Sequence, residues 1–352
     1  MGALASRLIF PGERPDMTDT SDGRSDLDAF NDNVVSGGPG KDGIPSIDSP
    51  KFISRAEADD FLRPEDIVFG IHVNGEVRAY PQRILVWHEI VNDSFEGRQI
   101  AITYCPLTGS QIALEGGPGN KSALTFGTTG KLVNSNLLMY DRQTDSDWPQ
   151  ILATAINGAK RGERLSEVPL VWTTWDKWRT RHPNTRVLGT DTGFIRNYSS
   201  DPYGSYSPGP GGYYATPGLW FPVMSSSDLL SAKKVVFGTG VGDERLAIPL
   251  EEFRSVGVDN ITLGEVPLSL FYESQLDTIR VFRRRVEAET LTFVQRQGRI
   301  VDEETESVWS PEGVAIEGPF QGSALEQVNA FNVMWFAWYA FYPDTLVYQS
   351  GG

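Results

Sequence analysis

The chain has 352 residues, with 46 acidic and 31 basic side chains and a formal net charge of -15 at pH 7. This balance argues against a nucleic-acid partner, because such proteins need clustered Lys and Arg and no basic patch interrupts the acidic sequence. No stretch approaches the roughly 20 apolar residues of a transmembrane segment, and 36 Gly with 22 Pro indicate a strand-rich globular protein with many turns.

The acidic residues are spread along the chain, and lysine is scarce beside arginine. This pattern is typical of the acidic surfaces of salt-adapted proteins, so we expect a halophilic archaeal source. The single cysteine, Cys105, cannot form an internal disulfide and leaves the redox compartment open. The N terminus has no clear export signal, which predicts a cytoplasmic location; an extracytoplasmic one would require a start farther upstream.

The first segment, residues 1–45, is rich in Asp, Ser, Gly and Thr and lacks apolar periodicity. We therefore predict a disordered acidic arm. The globular part begins after it: residues 54–60 (SRAEADD) predict a short capped helix, and residues 66–80 predict a hairpin that turns at Asn74-Gly75.

The chain resembles itself at a nearly constant spacing. IVFGIHVNGEVRAYP, ending at Pro81, matches VVFGTGVGDERLAIP, ending at Pro249, and 249 − 81 = 168. TDSDW, ending at Trp148, matches TESVW, ending at Trp309, and 309 − 148 = 161. Ordered matches with few gaps predict a tandem duplication. The expected fold is β-rich α+β, with two pseudo-symmetric repeats of one β-rich unit, each containing a short WxxW helix.

The predicted domains are a first repeat at 46–197 that carries the candidate site, a Gly/Pro/Tyr-rich connector at 198–229, and a second, degenerate repeat at 230–352. The connector is too long for an idle loop, so an ordered flap and a plain linker both stay open. In each WxxW segment, Trp175–Trp178 and Trp335–Trp338, the two indoles share one helix face, which favours core packing.

Positions that differ between the two halves are the candidates for function. At a spacing of 167, Cys105 falls opposite Tyr272, and His88 falls at about Val256. The run 132–143 (LVNSNLLMYDRQ) has no evident counterpart in the second half. We therefore place the candidate site in the first repeat.

Cys105 ends an apolar strand and precedes Pro106, a junction at which a thiol can be exposed. A thiol with a pKa of about 8.5 needs a base or a cation to act as a nucleophile. His88 is the natural base, so we predict a thiol-dependent enzyme that acts on a small polar substrate, with Cys105 as nucleophile. The same stretch offers substrate-binding candidates: Tyr104, Thr108, Asn134, Asn136, Tyr140, Asp141 and Arg142.

Other interpretations stay open. Cys105 and His88, with Glu89 and Asp141, are competent ligands for copper, zinc or iron, which would make this a metal- or small-ligand-binding protein without turnover. The apolar run 333–342 is typical of a buried core helix, but it would also serve a structural or partner-binding scaffold. The sequence does not indicate an oligomeric state.

Several strings together identify a resemblance to a known family, the domain of unknown function 3179 (DUF3179) proteins of prokaryotes. They are WHEIVND (87–93), TYCPLTGS (103–110), FGTTGKLVNSNLLMYDRQTDSDWPQ (126–150), TWDKWRTRHPNTRVL (174–188) and DTGFIRNYSSDPYGSY (191–206). The resemblance covers most of residues 50–350 and implies no defined activity. It implies that members are often exported or lipid-anchored, and that many have a second cysteine where this chain has Thr108, a departure that weakens paired-thiol chemistry here.

Overall fold

The computed structural model describes residues 7–11, 26–118, 123–204 and 212–351. Strands dominate these ranges, which confirms the expected β-rich fold, and no helix in them is long and apolar enough to cross a bilayer. Both WxxW segments form helices. The described α-helices are α1 Asp26–Asp32, α2 Arg55–Ala58, α3 Gln82–His88, α4 Trp175–Arg181, α5 Leu250–Phe253 and α6 Trp335–Phe341.

The strands are numbered in chain order. Up to α4 and just beyond it they are β1 Arg7–Ile9, β2 Val35–Ser36, β3 Phe52–Ser54, β4 Ile67–Val73, β5 Glu76–Pro81, β6 Ile90–Phe95, β7 Arg98–Cys105, β8 Ser110–Pro118, β9 Phe126–Val133, β10 Asn136–Asp141, β11 Asp147–Pro149, β12 Ser166–Val168, β13 Val171–Thr174 and β14 Arg186–Leu188. The rest are β15 Val235–Val241, β16 Glu244–Pro249, β17 Val258–Leu263, β18 Val266–Glu273, β19 Thr278–Arg283, β20 Arg285–Val286, β21 Glu289–Thr290, β22 Phe293–Arg296, β23 Arg299–Asp302, β24 Val308–Trp309, β25 Ala315–Glu317, β26 Glu326–Val328, β27 Ala330–Met334 and β28 Leu346–Gln349.

The described residues divide into two compact units. The larger unit contains the described residues from Asp26 to Lys234 together with Val333–Pro343. The smaller unit contains β1, Val235–Asn332 and the residues from Asp344 onward. Helix α6 therefore belongs to the larger unit, although it lies near the C-terminal end of the sequence.

Two sheet patterns each occur twice. One five-stranded sheet has the order β13-β4-β5-β14-β3, and another has the order β27-β15-β16-β28-β1. The four-stranded sheets β12-β8-β7-β6 and β26-β19-β18-β17 also have the same order of corresponding strands. In both five-stranded sheets the late strand pairs in parallel, β14 with β5 and β28 with β16.

The strand ends correct one alignment made from the sequence. Cys105 is the last residue of β7, where it pairs with Ser110, and Glu273 is the last residue of β18, where it pairs with Thr278. By its position at the end of a strand, Cys105 matches Glu273, one residue beyond the Tyr272 that the sequence comparison places opposite it. The spacing is 168 at the start of β8, between Ser110 and Thr278, and 167 at the start of β9, between Phe126 and Phe293.

The run 132–143 is likewise not a separate insertion. It belongs to the β9-β10 hairpin, whose pair Phe126 and Asp141 corresponds to the pair Phe293 and Asp302 of the β22-β23 hairpin. The first hairpin is six residues longer, since 141 − 126 = 15 and 302 − 293 = 9. The tip of the hairpin is new, whereas its base is present in both places.

The segment expected to be a disordered arm is structured from residue 26 to residue 45, and residues 12–25 lie outside the described ranges. Helix α1 buries Phe30, whose ring centroid lies 5.3 Å from that of Phe341. Strand β2 extends the sheet at β9, with Val35 opposite Leu132. Residues 26–45 are mostly polar but include a few apolar side chains that pack against the rest of the unit. One buried aromatic ring contributes enough apolar area to help hold a short helix in place.

Helix α6 is a core element. All seven of its residues, WFAWYAF, are buried, as a helix that is apolar on every side requires. Its Ala340 carbonyl accepts a hydrogen bond from Asn134 in the β9-β10 turn, and Met334 just before it donates to the carbonyl of Thr108. The helix therefore braces the two turns around Cys105, and burial removes it as an exposed docking surface.

Candidate functional site

The Cys105 thiol is buried. The residue is 1% exposed, and its Sγ lies 3.9 Å from the carbonyl oxygen of Ser135 in the β9-β10 turn. Burial, and then the charge of Glu89, raise the pKa of the thiol to about 11. In the resting protein Cys105 is a protonated, shielded thiol and not the exposed nucleophile that the sequence predicts.

His88, the expected base, has other partners. Its Nδ1 lies 2.7 Å from the carbonyl oxygen of Pro45, and its Nε2 lies 2.7 Å from the hydroxyl of Tyr198. Because a carbonyl can only accept, Nδ1 donates, and in the neutral ring Nε2 accepts from the tyrosine. Burial lowers the pKa of His88, which favours that neutral ring. Within the described residues, no hydrogen bond joins His88 to Cys105.

Glu89 is the carboxyl whose charge acts on Cys105, which also interacts electrostatically with Tyr203 and Tyr213. It caps the C-terminal end of α3, where its N–H donates to the carbonyl of Leu85, and its own carbonyl accepts from Tyr104. The residue is 7% exposed, and no described group forms a hydrogen bond with its carboxyl. Burial raises the pKa of Glu89 to about 8, so the acid is mostly protonated at pH 7.

The backbone of Glu89 is strained. Its φ is 58° and its ψ is −30°, a region that residues with a side chain rarely adopt. The corresponding position after α5 is Gly257, with φ of 79°, and its carbonyl accepts from Tyr272 at 2.7 Å as that of Glu89 accepts from Tyr104 at 2.8 Å. The turn thus needs a left-handed residue, and Glu at this site costs about 1–3 kcal/mol.

Glu89 lines a cavity of about 440 Å³, a volume suited to a small organic molecule. The wall is mainly apolar, and its other charged side chains are Lys131 and Arg196. Cys105 does not line the cavity. The aromatic residues of the wall are Trp87, Tyr203, Trp220 and Phe221.

The described part of the connector is packed over this region. The Trp87 Nε1 donates to the Ser200 carbonyl at 3.0 Å, and the Tyr214 hydroxyl lies 3.0 Å from that of Tyr104, a predicted site residue. Burial, followed by the charges of Glu89 and Cys105, raises the pKa of Tyr203. The described connector residues, 198–204 and 212–229, thus form an ordered cover close to Glu89 and Cys105.

Two of the predicted substrate-binding residues belong instead to a buried polar network. The Asn136 Nδ2 donates to Thr108 Oγ1 at 3.0 Å and to Gln150 Oε1 at 2.9 Å, and Ser110 donates to the same Gln150 oxygen at 2.6 Å. These side chains satisfy one another, so they fix the turn after Cys105.

Asn134 also has a structural role. Its Nδ2 donates to the Ala340 carbonyl at 3.0 Å, and its Oδ1 accepts from the Met224 N–H at 2.8 Å. Its φ of 52°, with 59° at Ser135, forms the two-residue turn of the hairpin. Asn134 therefore ties this turn to α6 and to the connector.

Tyr140, Asp141 and Arg142 lie elsewhere. The Tyr140 hydroxyl donates to Asp42 at 2.6 Å, and Arg142 donates to that hydroxyl at 2.9 Å. Asp141 accepts from the Trp148 Nε1 at 3.0 Å. None of these three predicted site residues lines the cavity beside Glu89, although Tyr140 and Arg142 each line another cavity. Their contacts also support the base of the hairpin.

The predicted metal site lacks a ligand set in the described part of the chain. No group of three or more His, Cys, Asp or Glu side chains is arranged there to hold a metal ion. Both ring nitrogens of His88 form hydrogen bonds, to the Pro45 carbonyl and the Tyr198 hydroxyl, so neither is available to bind a metal together with Cys105.

The sequence carries a signal that distinguishes Glu89. At the spacing of 168, Glu89 falls on Gly257, so a charged residue stands where the second half has glycine. The types of the residues alone indicate Glu89 only as a possible metal ligand.

A model of the family described as Protein of unknown function (DUF3179) matches residues 41–345. Neither the curated proteins nor the solved structures contain a match to the chain. The family match agrees with the resemblance found in the sequence and covers Glu89, Cys105 and the residues of the cavity wall other than Gly37 and Pro39.

Proposed function

Because the chain belongs to the DUF3179 family, whose description assigns no activity, we propose a function from the geometry. The protein is an enzyme that acts on a small molecule in the cavity beside Glu89, and Glu89 exchanges a proton with that molecule. One observation carries the proposal: a buried carboxyl, unpaired within the described residues, lies on a cavity wall in a strained backbone conformation.

The environment of Glu89 suits proton transfer. A general acid or base works best when its pKa lies near the working pH, and burial raises the pKa of Glu89 to about 8. Near neutral pH the carboxyl can donate a proton to the ligand and recover it afterwards. The surrounding apolar wall keeps water from competing for that proton.

A thiol-dependent version of the reaction is the second candidate, favoured by the electrostatic interaction between Glu89 and Cys105. Because Cys105 does not line the cavity, this version requires a movement that exposes the sulfur, which then adds to a carbonyl carbon of the substrate. The S–C bond forms, the carbonyl π bond opens, and the protonated Glu89 gives its proton to the substrate oxygen and takes up the thiol proton. Glu89 thereby takes the role that the sequence predicted for His88, and His88 instead holds Tyr198 of the cover in place.

We also propose that the chain arose by duplication of one β-rich unit. The repeated strand orders and the matching positions of Glu89 and Gly257 support this origin. One copy then acquired the charged residue, the longer hairpin and the cover, while the other remained a scaffold.

The test is a conversion screen. The protein is incubated with small carbonyl compounds and carboxylic acids, and their loss is followed by mass spectrometry. We expect Glu89→Gln to lower conversion by about 100-fold or more, the usual range for a general acid or base. Glu96→Gln is the matched control, because Glu96 is also a positive-φ glutamate but is exposed in a hairpin turn.

The outcomes separate the two candidates. Conversion that survives in Cys105→Ala supports acid–base chemistry by Glu89 alone, and conversion that is lost in both variants supports the thiol-dependent reaction. Full conversion by Glu89→Gln would contradict the proposed function in either form.

A further inference from the structure

We propose that the ligand of this cavity is a small carboxylate with an apolar body, and that Arg196 and Lys131 bind its charge. The inference rests on the proposed function, because it names the class of molecule on which Glu89 acts. Two cations, an apolar wall and the positions of the charged residues in the chain support it.

Arg196 and Lys131 both line the cavity, and neither is within salt-bridge distance of a carboxylate of any described residue. Arg196 donates to the carbonyl of its neighbour Ile195. Other arginines, such as Arg98 and Arg254, each form a two-pronged pair with an acid. Lys131 also interacts electrostatically with Asp147. Two cations that line one cavity without a salt bridge make it suited to an anion.

The remaining wall favours an apolar body. The rings of Tyr203 and Trp220 are stacked, with centroids 5.8 Å apart and an angle of 26° between their planes. Trp87 is fixed by its hydrogen bond to the Ser200 carbonyl. Flat aromatic surfaces of this kind bind a ring or an alkyl chain. Glu89 does not repel an anion, because its raised pKa keeps it mostly neutral at pH 7.

All three charged wall residues lie at positions that have no charged equivalent in the smaller unit. Glu89 corresponds to Gly257, and Lys131 lies in the longer tip of the β9-β10 hairpin. Arg196 comes from the segment that follows β14. Charges that are absent from the scaffold, and that meet at one cavity, are best explained by a ligand.

The experiment is calorimetric titration of the full chain with three probes at low ionic strength: 3-phenylpropionate, its neutral amide 3-phenylpropanamide, and inorganic phosphate. We expect 3-phenylpropionate to bind at least about tenfold more tightly than the amide, a difference of about 1.4 kcal/mol. Phosphate, which lacks an apolar body, should bind more weakly than 3-phenylpropionate.

Variants localise the effect. Arg196→Gln and Lys131→Gln should each weaken 3-phenylpropionate about 3- to 10-fold, a range typical of partly exposed charge pairs, and leave the amide unchanged. The matched control is Arg63→Gln, because Arg63 is also exposed but does not line the cavity. Its affinity for the carboxylate should equal that of the unsubstituted chain.

Equal binding of the carboxylate and the amide, or an Arg196→Gln variant with unchanged affinity, would overturn the anion site while leaving a ligand cavity in place. Binding of neither organic probe would overturn the proposed ligand class. The proposed function fails by a different result, unimpaired conversion by Glu89→Gln, so the two failures can be told apart.

Discussion

Residues 141–148 and residues 302–309 form the same turn with the same hydrogen bonds. Asp141 accepts from the Thr144 N–H at 2.6 Å and from the Trp148 Nε1 at 3.0 Å. Asp302 repeats this pattern, accepting from the Thr305 N–H at 2.7 Å and from the indole seven residues on at 2.9 Å. Polar residues that recur with identical partners serve the fold, even where they are the types that catalysis uses.

The residues that follow α3 and α5 show the opposite case. The backbone is alike, with positive φ and a carbonyl that accepts from a tyrosine N–H, but the residue is Glu89 in one place and Gly257 in the other. Glycine is the relaxed choice for this conformation. The two positions therefore share a positive φ and a backbone hydrogen bond but differ in their side chain, and our proposal for Glu89 rests on that difference.

The largest expected effect of this difference is on the pH dependence of stability. The pKa of Glu89 is about 8 in the folded chain, against a usual value of 4.5. The folded state therefore binds more protons at Glu89 between these values, so the contribution of Glu89 to stability is fully present below pH 4.5 and is lost as the pH rises through 8. One pKa unit corresponds to about 1.36 kcal/mol, so a difference of about 3.5 pKa units lowers the free energy of unfolding by at most about 5 kcal/mol.

Denaturant unfolding at several pH values from 4.5 to 8.5 measures this loss. Glu89→Gln removes the titrating group, so its stability should exceed that of the unsubstituted chain by an amount that grows with pH. Glu96→Gln should follow the unsubstituted chain throughout. If all three curves run parallel, Glu89 is not the buried acid that distinguishes the two turns.

A smaller effect comes from the backbone strain at positions 89 and 257. A comparison of glutamine with glycine at each position separates this strain from the charge of the Glu89 carboxyl. Glu89→Gly should be more stable than Glu89→Gln by about 1 kcal/mol, because glycine relieves the positive φ. Gly257→Gln should lose about 1–3 kcal/mol, since it introduces that strain and its Cβ would lie 2.6 Å from Oε1 of Gln295.

Thermal or denaturant unfolding at pH 5, where Glu89 is protonated, gives the cleanest values. A result in which position 89 prefers Gln to Gly would break the comparison, because the two turns would then differ in their backbone preference. Asn74→Gly is a suitable control for relief of positive φ in an ordinary hairpin turn of the larger unit.

The sequence predicted the β-rich class, the WxxW helices, the 74–75 turn and the region around Cys105, because alternation, turn residues and helix spacing are local signals. It did not predict the hydrogen-bond partners of His88 and of the polar site residues. Asn136 and Asp141 have hydrogen-bond partners 14 and 7 residues away, respectively, and such partners decide whether a polar side chain is free for a ligand. The contribution of Glu89 depended on burial, which its neighbours in sequence do not reveal.

The smallest expected effect concerns the last residues of β7 and β18. Glu273 forms a salt bridge with Arg280 at 2.7 Å, whereas Cys105 interacts electrostatically with Glu89. Because Cys105 is the only cysteine, alkylation by iodoacetamide reports on it alone. Burial is the main cause of its raised pKa and the charge of Glu89 the next, so Glu89→Gln should speed alkylation at pH 9 by less than about tenfold. The effect should vanish at pH 6, where Glu89 is protonated, and Glu96→Gln should have none.

Slower alkylation in Glu89→Gln would instead show that Glu89 withdraws the thiol proton, which would favour the thiol-dependent reaction over acid–base chemistry by Glu89 alone.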